Sequence, residues 1–190
     1  MKSNILKSTL ILVLAVSFAS FTAISEKTVN IENSKVTWKG YKVTGSHEGT
    51  IALKTGTLKF ETNTLVGGEF SIDMASITNT DIEGEYAQKL EGHLKSDDFF
   101  GVANHPTAGI VFTSVKTSGK NSYTVVADLT IKGKTSPVTF EISIYGSKAT
   151  AALKVDRTKY DVKYGSSSFF DNLKDKAIYD EFDLVVDLQF

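Results

Sequence analysis

The C-terminus alternates strictly: Phe182, Leu184, Val186, Leu188 and Phe190 are apolar, Asp183, Asp187 and Gln189 are polar, and Val185 alone is out of step. In an extended chain successive side chains point to opposite faces, so this pattern describes a strand with one buried face and one wet face. Val138, Phe140, Ile142 and Ile144 repeat it against Thr139, Glu141 and Ser143, as do Val125, Ala127, Leu129 and Ile131 against Asp128, Thr130 and Lys132. One-face burial of this kind belongs to antiparallel sheets.

Similar runs occupy Val36 to Val43, Gly49 to Phe60, Val66 to Ile77, Ala108 to Lys116 and Ala149 to Val155, which makes about eight strands. Turn chemistry is expected to separate them at Gly45-Ser46, Thr55-Gly56, Gly67-Gly68, Ser118 to Asn121, Lys132-Gly133-Lys134 and Gly146-Ser147. Short connections pair sequential strands, and closing them into an up-and-down barrel removes both exposed edges. Two segments leave the pattern. Asp81 to Phe99 carries Tyr86, Leu90 and Leu94 at helical spacing behind a cluster of acids, and predicts a helix interrupted at Gly92. Ser168 to Ala177, with Phe169, Phe170 and Leu173, predicts a second, shorter helix. Each is expected at one end of the barrel.

Before the first strand, Lys2 and Lys7 precede an apolar run from Thr9 to Phe18. A charged start, a short apolar stretch and small residues behind it are the parts of a cleavable export signal, and the run is shorter than the roughly 20 residues that span a bilayer. Cleavage is expected within about residues 19–25, after Ser17-Phe18-Ala19 or Ala23-Ile24-Ser25, leaving one domain over 26–190 with no membrane segment, in the periplasm or secreted. Cysteine is absent, so disulfides and thiolate metal sites are excluded. The 21 basic and 22 acidic residues give a net charge of −1 without a long block of either sign, which leaves no electrostatic footprint for nucleic acid.

Residues with chemistry are sparse. His47, His93 and His105 are scattered without metal-ligand spacing. His47 stands out because Gly45 and Gly49 flank it in a turn, where it can hydrogen-bond the turn or a ligand head group. Asp97 and Asp98 read as the end of a helix, and Asp171 and Asp175 as a solvated helical face. No nucleophile elbow or phosphate-cradling loop is present, so neither acyl nor phosphoryl transfer has its minimum apparatus, and no catalytic or metal-binding residue and no cofactor is expected.

What the chain has in quantity is aromatic bulk, with 12 Phe, 7 Tyr and 1 Trp. Trp38, Phe60, Phe70, Phe112, Phe140 and Phe182 fall on period-two apolar faces, and the pairs Phe99-Phe100 and Phe169-Phe170 adjoin the predicted helices. Two interiors fit that inventory: a core packed solid, or a barrel wide enough to enclose one small ligand.

Four stretches in order carry a resemblance. Ser34 to Gly40 continues into Val43 to Gly49; Leu94 to Val102 leads to His105-Pro106-Thr107 and Phe112-Thr113-Ser114; Asp128 to Thr135 precedes Pro137 to Phe140; and Asp156-Arg157, Tyr160 and Tyr164-Gly165-Ser166 lead to the closing strand. Together they are similar to the YceI-like family of bacterial periplasmic lipid-binding proteins, from about Val29 to Phe190. The chain departs from the common pattern at Gly101 and in a shorter loop between Tyr160 and Phe170.

The resemblance implies an all-β, eight-stranded antiparallel, lipocalin-like barrel with one or two short helical segments. It implies that the barrel holds a long isoprenoid or quinone-type tail. On that basis the walls are expected from Trp38, Phe60, Phe70, Ile72, Phe99, Phe100, Phe112, Phe140, Phe169, Phe170, Leu173 and Phe182. A head group at the mouth would meet His47, Asp97 or Arg157, although Arg157 can equally close a strand end against Asp156 or Asp161. Two rivals stand beside the carrier: a solid-cored envelope or stress protein acting through a protein partner, and an enzyme that uses His47 with a nearby carboxylate as acid and base on a bound lipid. A shared mouth or an edge pairing leaves room for a homodimer.

Overall fold

A computed structural model describes residues 23–190. The export signal expected at the N-terminus therefore lies largely outside the described residues. The strands are β1 (Ile24–Thr28), β2 (Lys35–Lys42), β3 (Gly45–Glu61), β4 (Thr64–Asn79), β5 (Thr107–Gly119), β6 (Ser122–Ile131), β7 (Lys134–Tyr145), β8 (Lys148–Asp156) and β9 (Ile178–Gln189), with helix α1 (Gly84–Lys95) between β4 and β5. From β2 to β9 each strand pairs antiparallel with the next, and β9 returns to pair with β2. The sheet is thus an eight-stranded antiparallel barrel, the architecture that the alternation and the turns imply. β1 stands outside that circuit. It pairs with Thr57–Glu61 of β3, where β2 has already left the strand.

Two expected turns are strand interiors. Thr55-Gly56 and Gly67-Gly68 lie inside β3 and β4, and the hairpin between these strands turns instead at Thr62 and Asn63, both at positive φ. The glycines serve the interior. A methyl on Gly56 would come within 2.8 Å of the Phe70 ring, and one on Gly68 within 2.8 Å of the Phe112 ring. Each glycine is a seat for an inward aromatic ring, which a sequence reader takes for a turn because glycine serves both purposes.

At the opposite end β4 bulges. The β3–β4 register passes from Thr50 against Thr78 to Ala52 against Asp73, so Met74 to Ile77 swell out of the ladder. The Ser76 hydroxyl holds the bulge by donating to the Asp73 carbonyl at 2.6 Å and accepting from the Ala52 N–H at 2.7 Å. Met74 and Ile77, three residues apart, are both buried as a result.

Helix α1 follows and runs through Gly92 without a break. Glu91 Oε1 ties it to the end of β4 by accepting from the Asn79 backbone N–H and from Asn79 Nδ2, both at 3.0 Å. Leu94 is buried beneath it. The second expected helix is absent as such. Between Ser168 and Ala177 only Lys174–Lys176 form a single 3-10 turn. Asn172 and Lys174 adopt positive φ, which breaks helical continuity, and Phe169 and Phe170 are exposed, so no apolar stripe is buried to stabilise a helix. The barrel end beside the β1–β2 connection is plugged by apolar groups that include Val29, Leu58, Leu65 and Phe60, the last tilted against Phe190 with centroids 5.8 Å apart.

Adjacent glycines give the test of the seats. Gly68→Ala is expected to cost about 1–3 kcal/mol by overpacking Phe112. Gly67→Ala, whose methyl would meet only Lys59 at 3.6 Å, is expected to stay within about 0.5 kcal/mol of the parent. Chemical denaturation of both variants measures the difference, and equal losses would refute the assignment.

Candidate functional site

Strand alternation directs one set of side chains into the barrel, and they do not fill it. An upper chamber of about 120 Å3 is lined by Val36, Trp38, Ile51, Ile72, Met74, Ile77, Ala108, Leu129, Ile131, Ile178, Phe182 and Leu184, with Leu94, Phe99 and Phe100 from α1 and the loop after it. A lower chamber of about 80 Å3 lies between Leu53, Phe70, Ile110, Phe112, Phe140, Ile142, Ala151, Leu153, Val186 and Leu188. Val36, Ile72, Leu129 and Leu184 border both, so the chambers adjoin. A water molecule needs on the order of 10–15 Å3 by the same measure, so each chamber has room for several atoms of a guest.

The inward side chains are themselves partly accessible. Ile72, Phe112, Ala151, Phe182, Leu184 and Val186 point inside and yet are only half-buried, as the walls of a void must be. The aromatic rings that remain pack on one another: Phe112 meets Phe70 at 5.8 Å and Phe140 at 5.7 Å, and Phe100 meets Phe182 edge-on at 6.5 Å. The Trp38 indole N–H donates to the Thr78 carbonyl at 3.0 Å, which leaves its ring as apolar wall.

Arg157 is the one charged residue on the upper chamber and is 2% exposed. Each of its three nitrogens donates to a backbone carbonyl. Nη1 bonds the Val162 carbonyl at 2.7 Å, Nη2 that of Ile178 at 2.9 Å and Nε that of Tyr179 at 3.0 Å, while Asp180 Oδ1 lies 3.6 Å from Nη2. Burial lowers the Arg157 pKa from its ordinary value, against the pull of Asp180 and Asp156. Burial also pushes the Asp180 carboxyl up, but the hydroxyls of Ser166 and Ser168 and the Arg157 charge outweigh it and leave Asp180 below the usual carboxylate range. Neither Asp156 nor Asp161, the partners expected from sequence, takes the guanidinium. Asp156 instead caps the following 3-10 turn by accepting from the Thr158 N–H at 3.0 Å, and Asp161 pairs with Lys163 at 2.7 Å. Nearby, the fully buried Tyr160 hydroxyl has its pKa pushed up by burial to about 12.

Above the upper chamber sits a vestibule of about 200 Å3, bounded by Gly40, Tyr41, Lys42 and His47 of the first hairpin, Leu90 and His93 of α1, and Ile178 of β9. Trp38, Leu94 and Phe99 border both spaces. The His47 Nδ1–H donates to Asp81 Oδ2 at 2.9 Å, linking the hairpin to the turn before α1. Burial raises the Asp81 pKa, and the hydrogen bond from His47, backbone hydrogen bonds from Glu48 and Asp81 itself and the His47 charge together outweigh it, so the carboxyl lies below its usual value. A histidine and a carboxylate therefore do meet at the vestibule. Among the described residues, no group of three or more His, Asp and Glu side chains converges as a metal site requires.

The family model for the YceI-like domain matches residues 27–190. The chain belongs to the YceI-like family. The protein YceI of Escherichia coli O157:H7 is 32% identical over 98 residues, which cover 52% of this chain and 49% of that protein. A UPF0312 protein of Shewanella denitrificans is 33% identical over 88 residues, 42% of this chain and 46% of that protein. The chain spans about half the length of the curated relatives it matches. Among solved structures, Burkholderia cenocepacia BcnA superposes with a TM-score of 0.66 at 24% identity, covering 84% of this chain and 98% of that one. A polyisoprenoid binding domain from Saccharophagus degradans, implicated in plant cell wall breakdown, superposes with a TM-score of 0.57 at 14% identity over 87% of this chain and 97% of that one. These likenesses establish the YceI-like barrel.

In this YceI-like barrel most wall residues expected from sequence do line the interior: Trp38, Ile72, Phe99, Phe100 and Phe182 above, with Phe70, Phe112 and Phe140 below. Phe60 is buried in the plug. Phe169, Phe170 and Leu173 lie outside the chambers, because the segment carrying them is a surface loop. The three head-group candidates are not brought together. Arg157 faces the upper chamber and His47 the vestibule, whereas Asp97 is exposed on the outer side of the loop after α1, accepting from Asn104 Nδ2 at 3.3 Å. Leu129 and Ile131 also line the upper chamber, and the alternation along β6 marks both as inward. Met74 and Ile77 carried no signal, since their spacing of three reflects the bulge.

Two outcomes follow from the Arg157 geometry and the carboxylates. Arg157→Met strands three carbonyls and a carboxylate, and is expected to cost about 3–5 kcal/mol in chemical denaturation; a loss below about 1 kcal/mol would show that the loop does not depend on it. Asp81, Asp180 and Asp183 all titrate below the ordinary value of 3.8 in the fold. A depressed folded pKa adds stability that is complete above the unfolded value and disappears as pH falls through the folded one. The melting temperature should therefore hold from neutral pH down to about 4 and fall below it. A melting temperature that stays level or rises on further acidification contradicts this assignment.

Proposed function

We propose that this protein is an exported carrier that encloses the apolar tail of a long isoprenoid-type lipid, a polyisoprenoid or a quinone tail, inside the barrel. The observation that carries the proposal is the hollow interior: Ile72, Phe112, Ala151, Phe182, Leu184 and Val186 face inward without being covered by one another. A solid-cored protein acting through its outer surface has no use for that space. The polyisoprenoid binding domain of Saccharophagus degradans, which shares the fold, supports the same reading.

The chemistry of the walls suits such a tail. Burying a five-carbon isoprene unit is worth roughly 3–4 kcal/mol before ordering costs, and requires no polar partner. Arg157 is committed to the fold, since each of its nitrogens bonds a backbone carbonyl and Asp180 already stands beside its charge. A tail terminating in hydrocarbon can fill both chambers, with its polar head left in the vestibule by His47. The His47–Asp81 pair offers acid and base, yet no hydroxyl nucleophile hydrogen-bonds His47 among the described residues, so the pair fits head-group orientation better than turnover. Export through residues 1–25 places the carrier in the periplasm or outside the cell. Cleavage after Ala19 leaves β1 whole, whereas cleavage after Ser25 removes Ile24 and Ser25 from their pairing with β3.

A filling substitution tests the hollow interior. Ala151 lines the lower chamber, and Ala151→Phe is expected to keep the parental melting temperature within a few degrees while reducing isoprenoid-alcohol uptake at least about tenfold, because new atoms occupy space meant for the tail. Emission of Trp38, the one tryptophan, reports uptake from within the upper chamber. Native mass spectrometry of protein from its own cell envelope reads both the bound lipid and the mature N-terminus. A marked loss of stability in Ala151→Phe with no change in uptake, or a parent that never carries lipid, would sink the proposal.

A further inference from the structure

Phe169 and Phe170 are 49% and 50% exposed, while every other phenylalanine among the described residues is buried or half-buried. Exposing two adjacent Phe rings leaves apolar surface in water that the fold had no need to leave there. The segment that bears them is not loose. Its base is held by the three Arg157 hydrogen bonds, by the Ile178 N–H donating to the Gly165 carbonyl at 2.8 Å, and by the fully buried Ser166, whose carbonyl accepts from both the Phe169 and Phe170 N–H groups. The rings are presented from an anchored turn.

That turn stands at the mouth. Tyr164 packs on His93 of the vestibule with centroids 4.4 Å apart and is 47% exposed. Tyr179, 55% exposed, also borders the upper chamber. The tip of the first hairpin joins them, since the Val43 N–H donates to the Ala177 carbonyl and Val43 is exposed. Lysines surround this apolar rim. Lys163 Nζ lies 5.0 Å from the centre of the Phe169 ring, Lys159, Lys174 and Lys176 belong to the same stretch of chain as Asp161, Asp171 and Asp175, Lys42 pairs with Ile178 at its end, and Asp180, which accepts from the Ser168 hydroxyl, is opposed by Arg157. Across the mouth, the approach to α1 is acidic, with Asp81, Glu83 and Glu85. The positive, aromatic side and the acidic side are therefore distinct.

We infer that the turn around Phe169 and Phe170 is a docking surface for a lipid bilayer containing anionic lipid. Aromatic rings with lysines beside them match the bilayer interface, where rings enter the acyl boundary and ammonium groups stay with phosphates. The arrangement sets the cavity mouth against the membrane, so a tail can pass between bilayer and chamber without crossing water. This inference rests on the carrier reading for its purpose, but its observable is separate. With two rings and a small lysine surplus, docking is weak and reversible, as a carrier that must leave the membrane requires.

Co-sedimentation of the mature full chain with vesicles of equal parts phosphatidylethanolamine and phosphatidylglycerol tests it. Replacing both rings, Phe169→Ser with Phe170→Ser, is expected to weaken partitioning at least about tenfold and to leave the melting temperature unchanged, because the rings bury little in the fold. Tyr145→Ser removes another exposed ring at the β7–β8 turn, away from the mouth, and is expected to stay within about twofold of the parent. Trp38 emission with an isoprenoid alcohol, measured on the same preparations without vesicles, should be the same for the parent and the double variant. Equal partitioning of the parent and the double variant, an equal loss in Tyr145→Ser, or a parent that ignores vesicles but self-associates through these rings overturns the docking surface. A parent that binds vesicles yet takes up no isoprenoid alcohol leaves docking standing and removes the carrier reading instead.

Discussion

The pairing of β9 with β2 is the constraint on which the rest of this molecule depends. It joins the end of the chain to its first long strand, Val36 opposite Val186 and Trp38 opposite Leu184, and so closes the sheet. Closure satisfies the backbone donors and acceptors that two open edges would expose. It also sets a radius. An eight-stranded ring is wide enough that side chains from opposite walls can meet or fall short, depending on their size and seating. Here the rings of Phe70 and Phe112 are drawn back onto Gly56 and Gly68, and the centre stays open.

Closure leaves two ends, and they are finished differently. The end beside the β1–β2 connection is filled by apolar groups such as Val29, Leu58 and Phe60, with Lys27 lying over the Phe60 and Phe190 rings. At the other end α1, the loop bearing Phe99 and Phe100, and the segment anchored by Arg157 cover the upper chamber, with polar groups gathered in the vestibule outside it. A buried guanidinium is a costly fastening, tolerable because each of its nitrogens bonds a backbone carbonyl and Asp180 stands beside its charge. By tying Val162, Ile178 and Tyr179 together, it fixes both the wall of the chamber and the exposed turn beyond it.

The strands were legible because alternation is a local property. Phe182 to Phe190, Val138 to Ile144 and Val125 to Ile131 read inward and outward correctly without any knowledge of their partners. The glycines misled, since Gly56 and Gly68 answer to rings on neighbouring strands and not to turns. The Phe169-Phe170 pair misled for the opposite reason: apolar residues near helical spacing suggested a buried stripe, whereas Asn172 and Lys174 at positive φ keep the segment from winding into a helix. Arg157 drew attention as a charge near carboxylates adjacent in sequence, but the groups that hold it are carbonyls five and more residues away.

By itself the sequence determined a β-barrel with an apolar inward face, the turns at Lys132-Gly133 and Gly146-Ser147, one helix before β5, and a chain without cysteine chemistry. Those properties reside in local periodicity and composition, which each segment carries alone. Only the tertiary structure decided that the interior is hollow, that Arg157 is a fastening, that Asp97 faces away from the mouth and that two phenylalanines stand in the open beside it. Each depends on distances between segments far apart in the chain. A few ångströms across the barrel separate a packed core from a chamber, and no local pattern records that span.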